Sequence, residues 1–333
     1  MGADASPERY IRLLNPSLSI ALLSLALGAC TAGRGAAVAP ARPLASRVDS
    51  FHVTMPELGD RERTVRVYLP PNYARSDSAF PVLYLQDAQQ LFAPGWFGDW
   101  RVDETVDSLV GAGRSRGLIV VGIDNGPQRW DEYSPWVNHR MRDWIDSTWA
   151  KPVEGGEGEA YLRFVANRLK PLIDARYRTL PDRAHTGIGG SSMGGLISLY
   201  AGLAHADIFS RVMAMSSAIW FADDSGAWLA SNKLIDDIRA RAAAGSLPRD
   251  VRFYLDVGTA ERSRDVEPNV FDRAHQAVSY PRAYVDGTQA VVSALKAGGV
   301  PDSNLKLVVG EGAGHNEKAW ASRLPGALQW LYR

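Results

Sequence analysis

The stretch His185-Thr-Gly-Ile-Gly-Gly-Ser-Ser192-Met-Gly-Gly-Leu-Ile-Ser-Leu-Tyr200 decides the reading of this chain. It contains G-x-S-x-G as Gly190-Ser191-Ser192-Met193-Gly194. A five-residue motif is weak evidence by itself. Its setting is stronger, because a short apolar run enters the turn and an apolar-periodic helix leaves it. That strand-turn-helix order holds a serine in a strained turn above the end of a sheet. Small residues at Gly190 and Gly194 let the turn close, and the Met193 N–H, at a helix N-terminus, would favour a developing oxyanion. The competing reading is an ordinary glycine-rich turn or a phosphate cradle. The chain has neither G-x-x-x-x-G-K-[ST] nor G-x-G-x-x-G, so Ser192 is the candidate nucleophile.

A serine hydroxyl is a poor nucleophile at neutral pH and needs a base, which in turn needs an orienting carboxylate. The expected chain order is serine, acid, histidine. Beyond the next crossover only His275 and His315 follow Ser192. His315 stands in Gly310-Glu-Gly-Ala-Gly-His-Asn-Glu317, a glycine-rich loop that can lay an imidazole over the elbow, whereas His275 precedes a Tyr-Pro segment. His52, His139, His185 and His205 read as surface or structural residues. For the acid, Glu261 lies just past the strand Val251-Arg-Phe-Tyr-Leu-Asp-Val257, where α/β sheets carry functional groups. Asp256 within that strand, and Asp265 and Glu267 in the loop beyond it, remain rivals. No H-x-H or H-E-x-x-H occurs, so neither a metal nor another cofactor is expected.

Outward from the elbow, residues 49–55 and 63–69 alternate and read as an opening antiparallel pair. Apolar runs at 81–85, 118–123, 185–189, 211–215, 251–257 and 305–309 suit strands buried on both faces of a parallel sheet. Helical periodicity appears at 102–110, 161–175, 193–204, 228–243, 288–297 and roughly 318–332. Strands alternating with helices predict an α/β fold with a mostly parallel central sheet, helices on both faces and an antiparallel N-terminal edge. There is no internal repeat, and 47–333 reads as one domain.

With 46% hydrophobic residues the chain can bury a large core, and its 37 basic and 37 acidic residues cancel. No net field draws in nucleic acid. The single cysteine, Cys30, rules out an internal disulfide. It ends Leu27-Gly-Ala-Cys30, after the apolar run of residues 18–27 and Arg9 and Arg12, in the manner of a bacterial lipoprotein signal. Ten apolar residues are too few to span a bilayer. The expectation is a signal peptide at 1–29, lipidation of Cys30, a flexible tether at 30–46, and a membrane link through the lipid alone. Thr31 in place of Asp after the cysteine points to the outer membrane.

Beyond these readings, the chain resembles an esterase branch of the α/β-hydrolases, that of the enterochelin-esterase-like, esterase D-like and feruloyl-esterase-like proteins. The likeness covers about residues 64–315. It is carried by Val65-Arg-Val-Tyr-Leu-Pro-Pro-Asn-Tyr73, Pro81-Val-Leu-Tyr-Leu-Gln-Asp-Ala-Gln-Gln-Leu-Phe92, Ile119-Val-Val-Gly-Ile-Asp-Asn125, Glu132-Tyr-Ser-Pro-Trp136, the elbow, Gly258-Thr-Ala-Glu261 and Gly314-His315. The resemblance implies an α/β-hydrolase fold, a Ser192-His315-Glu261 triad, and an oxyanion hole from the Met193 N–H and the turn near Ala88 and Gln89. Many relatives carry Asp-Gly-Gln-Asn where this chain reads Asp87-Ala-Gln-Gln90, which leaves the donor in that turn open.

Trp96, Trp100, Trp130, Trp136 and Trp220 fall in or near loops at strand ends, and Trp136 and Trp220 are the candidates for a substrate wall. Arg129, Arg140 and Arg142 are candidates to meet an anionic substrate. The expected activity is serine carboxylic-ester hydrolysis of small siderophore or carbohydrate esters. The alternatives are an acyltransferase of the mycolyltransferase type and a noncatalytic lipoprotein that binds glycans or siderophores.

Overall fold

Alternating side chains in Arg47–Met55 (β1) and Arg61–Leu69 (β2) pair antiparallel, with Phe51 opposite Val65. In the computed structural model, which describes residues 45–75, 77–95, 98–141, 151–225, 229–261 and 280–332, this hairpin forms one edge of an eight-stranded sheet. The further strands are Val82–Gln86 (β3), Ile119–Ile123 (β4), Thr186–Ser191 (β7), Arg211–Met215 (β8), Arg252–Gly258 (β9) and Leu305–Gly310 (β10), in the order β1-β2-β4-β3-β7-β8-β9-β10. From β4 onward every pairing is parallel, while β2 joins β4 antiparallel. The two-residue strands Val137–Asn138 (β5) and Glu154–Gly155 (β6) form a separate ladder that periodicity did not predict.

The continuous apolar runs follow from burial on both faces. In β3, Val82 and Tyr84 join one core cluster and Leu83 and Leu85 the other, and β8 divides Val212 and Ala214 from Met213 and Met215 in the same way. Period-2 side chains thus bury both faces, at about 1.5–3 kcal/mol for each large apolar residue. One face is covered by Val102–Gly111 (α1) and the closing helix Glu317–Leu331. The other is covered by Gly158–Phe164, Met193–Ala204, Lys233–Ala243 and Tyr280–Ala297. The mostly parallel sheet, the helices on both faces and the antiparallel edge agree with the sequence reading.

Two helix starts and the burial of one strand differ from it. The helix expected at 288–297 begins at Tyr280, because Ala283 and Tyr284 extend its buried stripe and Pro281 falls in its first turn, where a proline costs no hydrogen bond. The helix expected from 228 begins at Lys233, behind Asn232, whose side chain accepts the Ile235 N–H at 3.3 Å. The run at 305–309 is an edge strand rather than one covered on both faces, with Val309 44% exposed. Cys30 and the rest of residues 1–44, together with Trp96, Arg142, Asp265, Glu267 and His275, lie outside the described residues. Among the described residues, no helix is long and apolar enough to cross a membrane.

Candidate active site

Strand β7 delivers Ser192 into a turn with φ 55° and ψ −121°, a conformation unusual for a side chain bearing a Cβ. Three backbone bonds hold it there. The Ser192 N–H donates to Met215 O at 3.0 Å, and Ser192 O accepts from Ala218 at 3.0 Å and Leu196 at 3.1 Å. The glycines flank this turn for want of space: a Cβ on Gly190 would lie 2.8 Å from the Gly194 carbonyl carbon, and one on Gly194 would lie 2.9 Å from Gln86 Cβ. Ser192 stays partly exposed while Ser191 and Met193 are buried. Met193 opens the following helix, so its N–H has no partner within that helix.

The turn after β3 stands beside the elbow. Asp87 takes a left-handed conformation, φ 60° and ψ 50°, and leads into the short turn Ala88–Gln90. Its carboxylate accepts a fork from Arg129, 2.7 Å from Nε and 2.8 Å from Nη2, and a bond from Asn125 Nδ2 at 2.5 Å. A Cβ on Gly194 would come within 3.3 Å of Asp87 Oδ2, which fixes how closely turn and elbow approach. Gln89 spends its amide on Asn125. With that side chain occupied, Gln89 has only its backbone N–H to offer an oxyanion. Arg129 itself rides on a short helix, Arg129–Glu132, anchored by the buried pair of Arg63 and Glu132 at 2.7 Å.

His315 and Glu261 meet although 54 residues separate them: His315 Nδ1 and Glu261 Oε2 are 2.8 Å apart. Glu261 is fully buried, and its other oxygen accepts from Ser216 Oγ and from the Gly258 N–H, both at 2.6 Å. Burial alone would push this carboxyl up. The hydrogen bond and charge of His315, with the Ser216 hydroxyl and the Gly258 amide, hold it below the ordinary glutamate value. A carboxylate on one side favours the tautomer with the proton on Nδ1, in which Nε2 carries a free lone pair. The ring lies between Tyr284, 4.8 Å between centroids, and Trp320, 5.0 Å away and nearly perpendicular.

Asp256, the rival acid, faces a different partner, Arg323 Nη2 at 2.9 Å. Its burial pushes the carboxyl up to about 6 despite that hydrogen bond and charge. Among the described residues, the other histidines sit with outlying groups: His139 with Asp224, His185 with Asp182, His205 with Glu159, and His52 near Thr64.

Trp220 departs from the sequence reading. Trp220 is 1% exposed and packs on Trp130 and Phe221, so it belongs to the core and not to a substrate wall. Trp136 is partly exposed and packs edge-on against Tyr200, in the helix that starts at Met193. Trp100 is buried against Trp320. Arg129 is turned inward on Asp87, and Arg140 Nη1 donates to Ser225 O. Residues that motif reading missed include Ser216, Tyr284, Trp320 and Arg323. Of these only Ser216 carried a signal, its place just beyond the C-terminal end of β8.

The family model described as "Putative esterase" matches residues 56–331. The chain belongs to this esterase family. It is a carboxylic ester hydrolase. The uncharacterized protein YbbA of Bacillus subtilis is 27% identical over 270 residues, which cover 81% of this chain and 92% of YbbA. Among solved structures, the siderophore hydrolase EstA from Aspergillus nidulans superposes with a TM-score of 0.64 at 19% identity, covering 86% of this chain and 95% of EstA. A ferulic acid esterase superposes at 0.60 with 22% identity, covering 86% and 98%. These esterases share the fold of this family member.

Proposed function

We propose that the chain hydrolyses esters through an acyl-enzyme, with Ser192 as nucleophile, His315 as general base and then acid, and Glu261 as the orienting carboxylate. The observation that carries this reading is the 2.8 Å contact between His315 Nδ1 and a buried glutamate whose remaining oxygen is saturated by two donors. In this reading Nε2 takes the Ser192 proton as Oγ attacks the ester carbonyl, and Glu261 offsets the charge of the imidazolium. The tetrahedral oxyanion is met by the Met193 N–H and by the backbone of the turn at Ala88 and Gln89. His315 then protonates the leaving alcohol, and water, deprotonated by the same nitrogen, releases the acid.

The substrate class we assign is a small siderophore ester or a feruloyl- or acetyl-carbohydrate ester, supported by the names of the structural neighbours. We further propose export as a lipoprotein, with residues 1–29 removed, Cys30 lipidated, 30–46 as tether and 47–333 as the single catalytic domain. Hydrolysis of p-nitrophenyl esters, feruloyl and acetyl sugars and catecholate siderophores by the purified protein tests the assignment. Ser192→Ala and His315→Ala are each expected to lose on the order of 10³-fold or more in kcat. Activity within about tenfold of wild type in Ser192→Ala would overturn it.

A further inference from the structure

Behind His315 lies a group of buried polar side chains that a three-residue triad does not by itself require. Ser216 follows β8 with φ 42°, and its N–H donates to Asp256 O at 2.8 Å. Its Oγ accepts from Trp320 Nε1 at 2.9 Å and from Arg323 Nη2 at 3.3 Å. A hydroxyl has two lone pairs and one proton. Both lone pairs are taken, so the proton goes to Glu261 Oε1, 2.6 Å away. That oxygen then faces two donors and no acceptor, so it carries no proton.

Arg323 supplies the second half of the argument. Its Nη2 is shared between Ser216 Oγ and Asp256 Oδ1. Among the described residues, Arg323 Nε and Nη1 are buried without a hydrogen-bond partner, and Tyr254 lies against the Asp256 carboxyl. A pair selected for stability alone would close the two-pronged fork that arginine and carboxylate favour. Here one prong is spent on linking Asp256 to the hydroxyl that touches Glu261. Trp320 joins the same group from the other side, with its ring edge-on to His315 and its N–H on Ser216.

We propose that Ser216, Arg323 and Asp256 are positioning residues: the Arg323–Asp256 pair, acting through the Ser216 hydroxyl, sets the orientation of the Glu261 carboxylate and the net charge against which His315 works. The proposal rests on the triad reading above. The charged and titratable groups facing the pair are Glu261 beyond β9, Tyr254 on β9 itself, and His315 through Glu261. Above the value of about 6 to which burial pushes Asp256, its carboxylate is ionised, and Arg323 balances one of the two carboxylates to leave one negative charge beside the imidazole.

The sign of each perturbation follows. Asp256→Asn leaves Arg323 opposed only by Glu261, so a protonated imidazole is disfavoured, and the acid limb of the kcat/KM profile moves down by about 0.5–1 pH unit. The double variant Asp256→Asn/Arg323→Gln removes both charges and brings the limb back to within about 0.3 unit of wild type. Ser216→Ala takes a donor from Glu261, which then accepts the Nδ1 proton more strongly, so the limb moves up by about 0.3 unit and kcat falls about 3- to 10-fold at unchanged KM.

The test is the pH dependence of kcat/KM for these three variants on a p-nitrophenyl ester, with Ser192→Ala run alongside. Opposite shifts in the two single variants, with restoration in the double, support the proposal. A limb that stays in place in both single variants, or a double variant displaced as far as Asp256→Asn, overturns it. Should Asp256→Asn not fold, Ser216→Ala decides alone, because an unmoved limb there removes the link. If Ser192→Ala retains activity, the triad reading fails instead, whatever the limbs do.

Discussion

Glu261 is the residue on which the proposed chemistry turns, since burial would neutralise a carboxyl that had no partners. Three donors reverse that effect and hold it ionised. Glu261→Gln keeps the shape but cannot offset an imidazolium and can hold the wrong tautomer, so steady-state assays are expected to show a loss of roughly 10²- to 10⁴-fold in kcat. Glu261→Asp is expected to retain more. The same interactions link to stability. A carboxyl whose folded value lies below its unfolded value stabilises the protein above the unfolded value, and that contribution is lost as pH falls through the folded one. The wild type should therefore lose stability below about pH 4.5, the ordinary glutamate value. Denaturant titrations of Glu261→Gln should show a shallower loss over that range. An equal slope in both proteins would mean that Glu261 gains nothing from its partners.

At the scale of elements, the elbow is where sequence and structure coincide most closely. Gly190, Ser192 and Gly194 were legible because a strand, a tight turn and a helix each leave a distinct pattern, and the observed turn has the positive φ that such patterns imply. Ser216, Trp320 and Arg323 were not legible. They come from the end of β8 and from the closing helix, 104 and 107 residues apart along the chain, and no local spacing records a contact made by folding. The misplaced start of the helix at Tyr280 has a local cause, since a proline in the first turn looks like a breaker until its position is known. Trp220 illustrates the opposite error, because an aromatic near a strand end reads alike whether it faces solvent or core. Steric closure of the elbow is itself testable. Gly190→Ala sets a Cβ against the backbone of Gly194, which cannot swing aside. A loss of about 1–3 kcal/mol in chemical denaturation is expected, together with at least about a tenfold fall in kcat as the elbow shifts. Full activity at wild-type stability would mean that the turn has slack.

At the scale of the whole molecule, a neutral, two-faced sheet explains why the domain was readable from hydrophobic runs alone. Strands β3 and β4 bury both faces, so their residues are nearly all apolar, while β1, at the edge, shows clean alternation. The part of the chain before the sheet carries the proposal of membrane attachment, which depends on one thiol. Cys30→Ser is expected to move the protein from the membrane to the soluble fraction of cells that process lipoproteins, as single-anchor attachment requires. Unchanged fractionation, or absent labelling of the wild type by a fatty-acid analogue, would count against lipidation.

The central claim, that Ser192 acts as a covalent nucleophile driven by His315 and Glu261, is met most directly by intact-protein mass spectrometry after brief exposure to a slowly deacylating p-nitrophenyl ester. The account predicts one acyl group per chain in the wild type, located to the peptide containing Ser192, none in Ser192→Ala, and formation slowed on the order of 10³-fold or more in His315→Ala. An acyl group on another residue, or equal labelling of Ser192→Ala, would contradict it.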